Sequence, residues 1–192
     1  MKKAAVILTV ILLGLMCGCT GYREIDRGYL ATAIAFSSNG EKIDIIIEAL
    51  SSSYSPDTPP DTQILTASGD TANQAFNLLK SQLVKPVYFE QLGTVVLDLN
   101  LGDTEKQDIM RFLKSLQRIS LGVCFVNTAD TDALFKADTP NGILGYDIVG
   151  LIKNFEKENG KKILNRFYQI EKGDGVLPLV NTNEKQLSII GE

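Results

Sequence analysis

The alternation of apolar and polar positions divides the chain into strands and helices before any single residue claims attention. Tyr29-Leu-Ala-Thr-Ala-Ile-Ala-Phe36 is apolar or small throughout and predicts a strand buried on both faces. Ser37-Ser-Asn-Gly40 is a turn, and Lys42-Ile-Asp-Ile-Ile-Ile-Glu-Ala49 follows as the second arm of an antiparallel hairpin. The serine- and proline-rich stretch from Ser51 to Asp61 cannot hold a ladder and reads as an exposed loop, and Gln63 to Ala67 as a short strand.

Helical spacing then takes over. With Asp70 as the expected cap, Ala72, Ala75, Phe76, Leu79 and Leu83 share one face of a helix that Pro86 stops. Val87 to Phe89 and Gly93 to Leu97 are strand-like. Thr104 and Gln107 form a candidate capping box for a second helix, which buries Ile109, Phe112, Leu113 and Leu116. Leu121 to Val126 reads as a strand, and Thr128 to Lys136 as a short helix capped by Asn127 or Thr128. A break follows at Asp138-Thr-Pro-Asn-Gly142. Ile148, Leu151, Ile152 and Phe155 define a third helical face ended by Gly160, and Leu164 to Glu171 adds further helix. Val176 to Val180 and Gln186 to Ile190 close the chain as strands. The fold class expected is α+β, a mixed and mainly antiparallel sheet covered by amphipathic helices.

The front of the chain has another logic. Lys2 and Lys3, an unbroken apolar run from Ala4 to Met16, and then Cys17-Gly-Cys19 describe a secretory signal ending in a lipobox. The run is shorter than the roughly 20 residues that span a bilayer. Gly18 supplies the small side chain needed beside the scissile bond, whereas Cys17 follows the bulky Met16, so Cys19 is the expected lipid carrier. The organisation expected is a signal peptide over 1–18, a tether over 19–28 and one domain over 29–192. At about 0.8 kcal/mol per buried methylene, the two acyl chains of a diacylglycerol on Cys19 would anchor the protein stably to the membrane.

Charge and chemistry narrow the function. Loss of residues 1–18 removes Lys2 and Lys3 alone, so 19 basic and 23 acidic side chains become 17 and 23, a net charge of −6. That opposes nucleic-acid binding. The chain has no histidine, which excludes Ser-His-Asp and Cys-His catalysis and removes the commonest zinc ligand. After processing and alkylation of Cys19, Cys124 is the one thiol left, so no intrachain disulfide is expected, and its apolar strand makes it a core residue. Asp98-Leu-Asn-Leu-Gly-Asp103 lacks the glycine and glutamate positions of an EF-hand and reads as a turn. Asn141-Gly-Ile-Leu-Gly145 and Lys172-Gly-Asp-Gly175 also read as turns rather than phosphate loops. No catalytic residue, cofactor site or metal site is expected.

Order and spacing from about residue 19 to residue 190 resemble one family, the Ger(x)C lipoproteins, C subunits of GerA-type spore germinant receptors. Cys19 is followed by Arg23-Glu-Ile-Asp26 and then Ala31-Thr-Ala-Ile-Ala35. Gly69 and Thr71 precede Ala75 and Leu78, Phe89 and Leu92 precede Val95-Val-Leu97, and Phe112-Leu113 precedes Val123-Cys-Phe-Val126. The resemblance covers the N-terminal domain of the family and not its further domains. It implies a non-enzymatic lipoprotein on the outer face of the cell membrane, the inner membrane of the spore, acting in germination through contacts with the receptor's membrane subunits. The alternatives are a solute-binding lipoprotein of a transporter and a cell-envelope hydrolase.

Overall fold

A computed structural model describes residues 28–51, 61–116, 118–120, 122–160, 170, 177–183 and 186–191. The hairpin expected at the start is present: β1 (Tyr29–Ser38) pairs antiparallel with β2 (Ile43–Ser51), and β2 pairs antiparallel with β3 (Thr62–Gly69). β3 runs three residues longer than its apolar positions alone indicated, because the ladder with β2 continues through Ser68 and Gly69. On its other side β1 is parallel to the short β4 (Val87–Tyr88) and to β5 (Thr94–Asp98). β5 is parallel to β6 (Cys124–Thr128), β6 touches β7 (Leu179–Asn183) in parallel, and β7 turns back antiparallel into β8 (Gln186–Gly191). The order is β3-β2-β1-β5-β6-β7-β8, a mixed sheet whose longest ladders are antiparallel.

The period-two pattern of β2 explains the two sides of this sheet. Ile43, Ile45, Ile47 and Ala49 face one way, together with Ile34 and Phe36 of β1, Val95 and Leu97 of β5 and Phe125 of β6. Onto them pack α1 (Ala72–Gln82), through Ala72, Ala75, Phe76 and Leu79, and α2 (Asp103–Ser115), through Ile109, Phe112 and Leu113. Their rings interlock: Phe112 lies 6.0 Å from Phe36 and 5.3 Å from Phe76, and Phe76 lies 5.5 Å from Phe89, all at steep interplanar angles. Edge-on aromatic pairs of this kind add about 0.5–1.5 kcal/mol beyond the area they bury.

The opposite face carries smaller residues. Ala35, Val96, Cys124, Val126 and Val180 meet α3 (Thr131–Phe135) at Leu134 and α4 (Leu144–Asn159) at Leu144, Ile148 and Ile152. Leu151 and Phe155, expected on the same face, are half-buried at its margin. Gly160 ends α4 with φ +68°, a left-handed conformation that glycine adopts without strain, and its N–H returns to Glu156 O at 2.9 Å.

The expected helix starts need correction in three places. Thr71, not Asp70, caps α1: its hydroxyl accepts from Gln74 N at 3.2 Å, while Asp70 N donates to Gln74 Oε1. α2 starts two residues earlier than Thr104 and Gln107 implied, with Gly102 N donating to Glu105 Oε2 at 2.7 Å, so only half a capping box forms. Asp130 caps α3 by accepting from Ala133 N at 2.9 Å, in place of Asn127 or Thr128, which finish β6. In each case several polar residues in a row could serve, and the end of the preceding strand or loop selects among them. The helix expected over 164–171 lies outside the described residues except for Ile170, as do positions 52–60 of the Ser51 to Asp61 loop.

Phe112, like Phe76, belongs to two of the aromatic pairs. Phe112→Ala is expected to cost about 3–5 kcal/mol, read as a lower urea midpoint at unchanged slope; a loss below about 1 kcal/mol would contradict this packing.

Candidate functional site

Among the described residues the most deeply buried charged side chain is Glu48, 4% exposed against 8% for Asp98 and Asp147, and set in the middle of the Ile45-Ile-Ile-Glu-Ala49 run. A carboxylate so placed must be hydrogen-bonded or its burial costs several kcal/mol. Three donors meet it. Leu144 N donates to Oε1 at 2.7 Å, Gly145 N to Oε2 at 3.0 Å, and Thr32 Oγ1 to Oε2 at 2.5 Å. The first two are the free amides at the start of α4, whose N-cap residue Ile143 has no side-chain oxygen to offer. Tyr146 N and Asp147 N turn back to Ile143 O. The free amides of Leu144, Gly145 and Tyr146 are thereby satisfied, the first two by a strand residue 96 and 97 positions earlier, and Asp147 N makes the first regular bond of the helix.

Local backbone irregularity makes the fit possible. The ladder between β1 and β2 slips between Ala31 and Ala33, so Thr32 is the extra residue of a bulge, and its hydroxyl turns toward Glu48. Its carbonyl accepts from Gly93 N at 2.9 Å. Gly145 sits so close that a Cβ there would lie 2.1 Å from Thr32 O, while its own carbonyl accepts from Thr94 Oγ1 at 2.8 Å. Glu48, Thr32, Thr94 and the first turn of α4 thus form one buried knot joining β1, β2, β5 and α4. The Asn141 to Gly145 stretch, expected to be a turn, divides here: Asn141 and Gly142 turn, and Gly145 belongs to the helix and to its tightest contact.

Two neighbours extend the knot to the surface. Asp147 accepts from Asn141 N at 3.0 Å and from Asn141 Nδ2, which holds the 138–142 turn over α4. Beside it lies a cleft of about 640 Å³ lined by Asp138, Asn141, Asp147, Asn154 and Gln186, among others. On the other flank, Tyr146 OH reaches the carbonyl and side-chain oxygens of Gln91 at 3.4 Å. Its phenol is held above the ordinary tyrosine range, first by burial and then by the negative charge of Glu48. It remains protonated at neutral pH and acts as a donor.

Of the residues singled out in the sequence, Cys19 and the Lys172 to Gly175 turn lie outside the described residues. Cys124 is fully buried in β6, and its thiol is pushed from 9.0 to about 12, by burial first and by Glu156 second. No nucleophilic thiolate is present there near neutral pH. Asp98 spends its carboxylate on Asn100 N at 2.8 Å and its carbonyl on Leu101 N, the turn expected of it. Glu48, Thr32 and Tyr146 were not singled out, although a lone glutamate among the four buried apolar positions of Ile45 to Ala49 is itself a signal that a partner must exist.

The fold and the knot define an α+β domain in which the most deeply buried carboxylate among the described residues, Glu48, is spent on architecture. The model of the family described as the spore germination protein N-terminal domain matches residues 21–182, and the chain belongs to that family. It carries the N-terminal domain of the C-type subunit of a germinant receptor, in agreement with the resemblance read from the sequence. No curated protein and no solved structure gives a match. The family is one of receptor subunits rather than a known enzyme family, and it implies association with other receptor subunits and with the membrane. Among the described residues no helix is long and apolar enough to cross a bilayer.

Glu48→Gln turns one acceptor into a donor facing donors and is expected to lower stability by about 1–3 kcal/mol, read by chemical denaturation and by faster amide exchange in the first turn of α4. An unchanged midpoint would mean that the knot does not hold the helix. Alkaline titration tests the interior of β6. The unfolded chain loses the Cys124 proton from about pH 9.0 and the native chain keeps it to about 12. The unfolded state therefore binds fewer protons in this window, and stability, full below it, falls by up to about 1.4 kcal/mol per pH unit through it. Cys124→Ala should flatten that fall in denaturation midpoints compared at pH 8 and pH 10.5; an identical slope would count against burial of the thiol.

Proposed function

We propose that this chain is a C-subunit-like component of a nutrient germinant receptor, lipid-anchored at Cys19 to the outer face of the cell membrane and working through protein contacts rather than catalysis. The observation that carries the reading is the family match over residues 21–182, which begins two positions after Cys19. The lipobox at Gly18-Cys19 supports the anchor, because diacylation supplies two chains where one holds a protein only marginally. The use of Glu48 as a helix cap and the inert thiol of Cys124 support a role without chemistry. In a spore the anchor places the domain on the inner membrane beside the membrane subunits of the receptor.

Two measurements test this together. Metabolic labelling with palmitate should mark the wild-type chain and not Cys19→Ala, which should leave the membrane fraction. Deletion of the gene should slow or abolish nutrient-triggered germination. Normal germination combined with no association with receptor subunits would refute the assignment, and labelling that survives Cys19→Ala would refute the anchor.

A further inference from the structure

Val84 is 98% exposed, far more than any other large apolar side chain among the described residues. Its neighbours hold it out. Leu83 closes α1, its N–H returning to Lys80 O at 3.3 Å, and Leu83 and Val87 both pack against the core. Val84, Lys85 and Pro86 bridge between them over the surface, all exposed. Position, more than exposure, gives this loop its meaning. It stands where the chain enters the fold: Pro86 O accepts from Tyr29 N at 2.8 Å, and β4 pairs with Tyr29 and Leu30 of β1. The Tyr88 ring lies so near Gly28 that a Cβ there would come within 2.2 Å of it. Gly28 follows Cys19 by nine positions, which span at most about 30 Å. A lipid on Cys19 keeps this corner of the domain within that distance of the bilayer.

Charge fits the same surface. From Thr71 to Phe89 the chain has Lys80 and Lys85 and no acidic residue, nineteen positions at +2 within a processed chain at −6. Glu90, which follows, is met by Arg118 Nη1 at 3.8 Å, and Arg23 and Arg27 balance Glu24 and Asp26 in the segment after Cys19. Asp61, across β2 at the same end of the sheet, offsets one of the two lysines and leaves the corner cationic. We propose that the loop from Leu83 to Pro86 is a second membrane contact, in which Val84 enters the headgroup region of the bilayer that holds Cys19 and Lys85 meets anionic lipid phosphates. Lys80, its ammonium 5.7 Å from the centre of the Phe76 ring, adds to the field from one turn behind. An apolar tip beside basic residues suits the lipid–water interface, and an acidic protein surface elsewhere is repelled from it. One valine and one lysine bind a membrane weakly on their own; the tether supplies the high local concentration they need, and in this the proposal rests on anchoring at Cys19. Two points of contact then orient the domain, with β1 rising from the bilayer and the β1–β2 turn at its far end.

Lipid quenching tests it, with the full lipidated chain in vesicles of phosphatidylcholine and phosphatidylglycerol in equal parts. Gln82→Cys places an environment-sensitive probe at the exposed end of α1 and leaves Val84 intact, and Glu41→Cys places it in the β1–β2 turn. Cys124 is fully buried and does not compete for the label. Nitroxide-bearing lipids should quench the probe of Gln82→Cys and leave that of Glu41→Cys bright. Adding Val84→Asp to Gln82→Cys should lower the ratio of quenched to unquenched probe about tenfold, and adding Lys85→Gln about fivefold. Vesicles of phosphatidylcholine alone should lose at least as much quenching as Lys85→Gln does. A vesicle-bound chain whose Gln82→Cys probe stays bright overturns the contact, as does quenching that is indifferent to Val84→Asp and to lipid charge, or equal at Glu41→Cys. A probe bright in vesicles yet shielded from an aqueous quencher in host membranes overturns it too, by assigning the loop to another subunit. Chain recovered free of the vesicles marks instead the failure of anchoring at Cys19, and removes the contact with it.

Discussion

A single buried carboxylate ties the two halves of this domain together. Glu48 cannot reach water from the middle of β2, and the start of α4 cannot cap itself, since Ile143 offers no acceptor. Each defect satisfies the other. The carboxylate takes two amides of the helix, where the positive end of the macrodipole favours a negative charge, and the hydroxyl of Thr32 completes its coordination. The bulge at Thr32, the closeness of Gly145 to the β1 backbone and the bond from Thr94 to Gly145 O all follow from seating a helix end directly on the sheet.

This arrangement also explains why the two faces of the sheet differ. Where α4 lands, the strands present mainly alanine, valine, threonine and cysteine, with Ile46 beside them, because the helix start lies close to the β1 backbone. The other face holds α1 and α2 at a distance filled by phenylalanine and isoleucine. A domain fastened in this way at its centre can present its margins to other subunits without repacking its core. The margins are chemically varied: a cleft of mixed polar and apolar lining beside Asp147, Tyr146 with Gln91 on the opposite flank, and the uncharged edge of β3.

Much of this was legible from pattern alone. The hairpin of β1 and β2, the faces of α1 and α2, the stop at Gly160 and the core position of Cys124 follow from periodicity and turn chemistry, which act over a few residues. Helix caps were misplaced by one to a few residues at Asp70, Thr104 and Asn127, where runs of polar residues left several local solutions nearly equal. The knot could not be read. Glu48 and Gly145 lie 97 positions apart, and nothing near either names the other.

The sequence by itself determined the α+β class, the membership in a germination receptor family, and the lipobox that makes Cys19 the expected anchor, because these rest on local composition, order and spacing. Only the tertiary structure decided which helix end Glu48 caps, that the middle of the sheet is parallel while its flanks are antiparallel, and that β3 is left at the edge. Those outcomes depend on which distant elements meet, and it is the need to satisfy buried polar groups across the sheet that selects them.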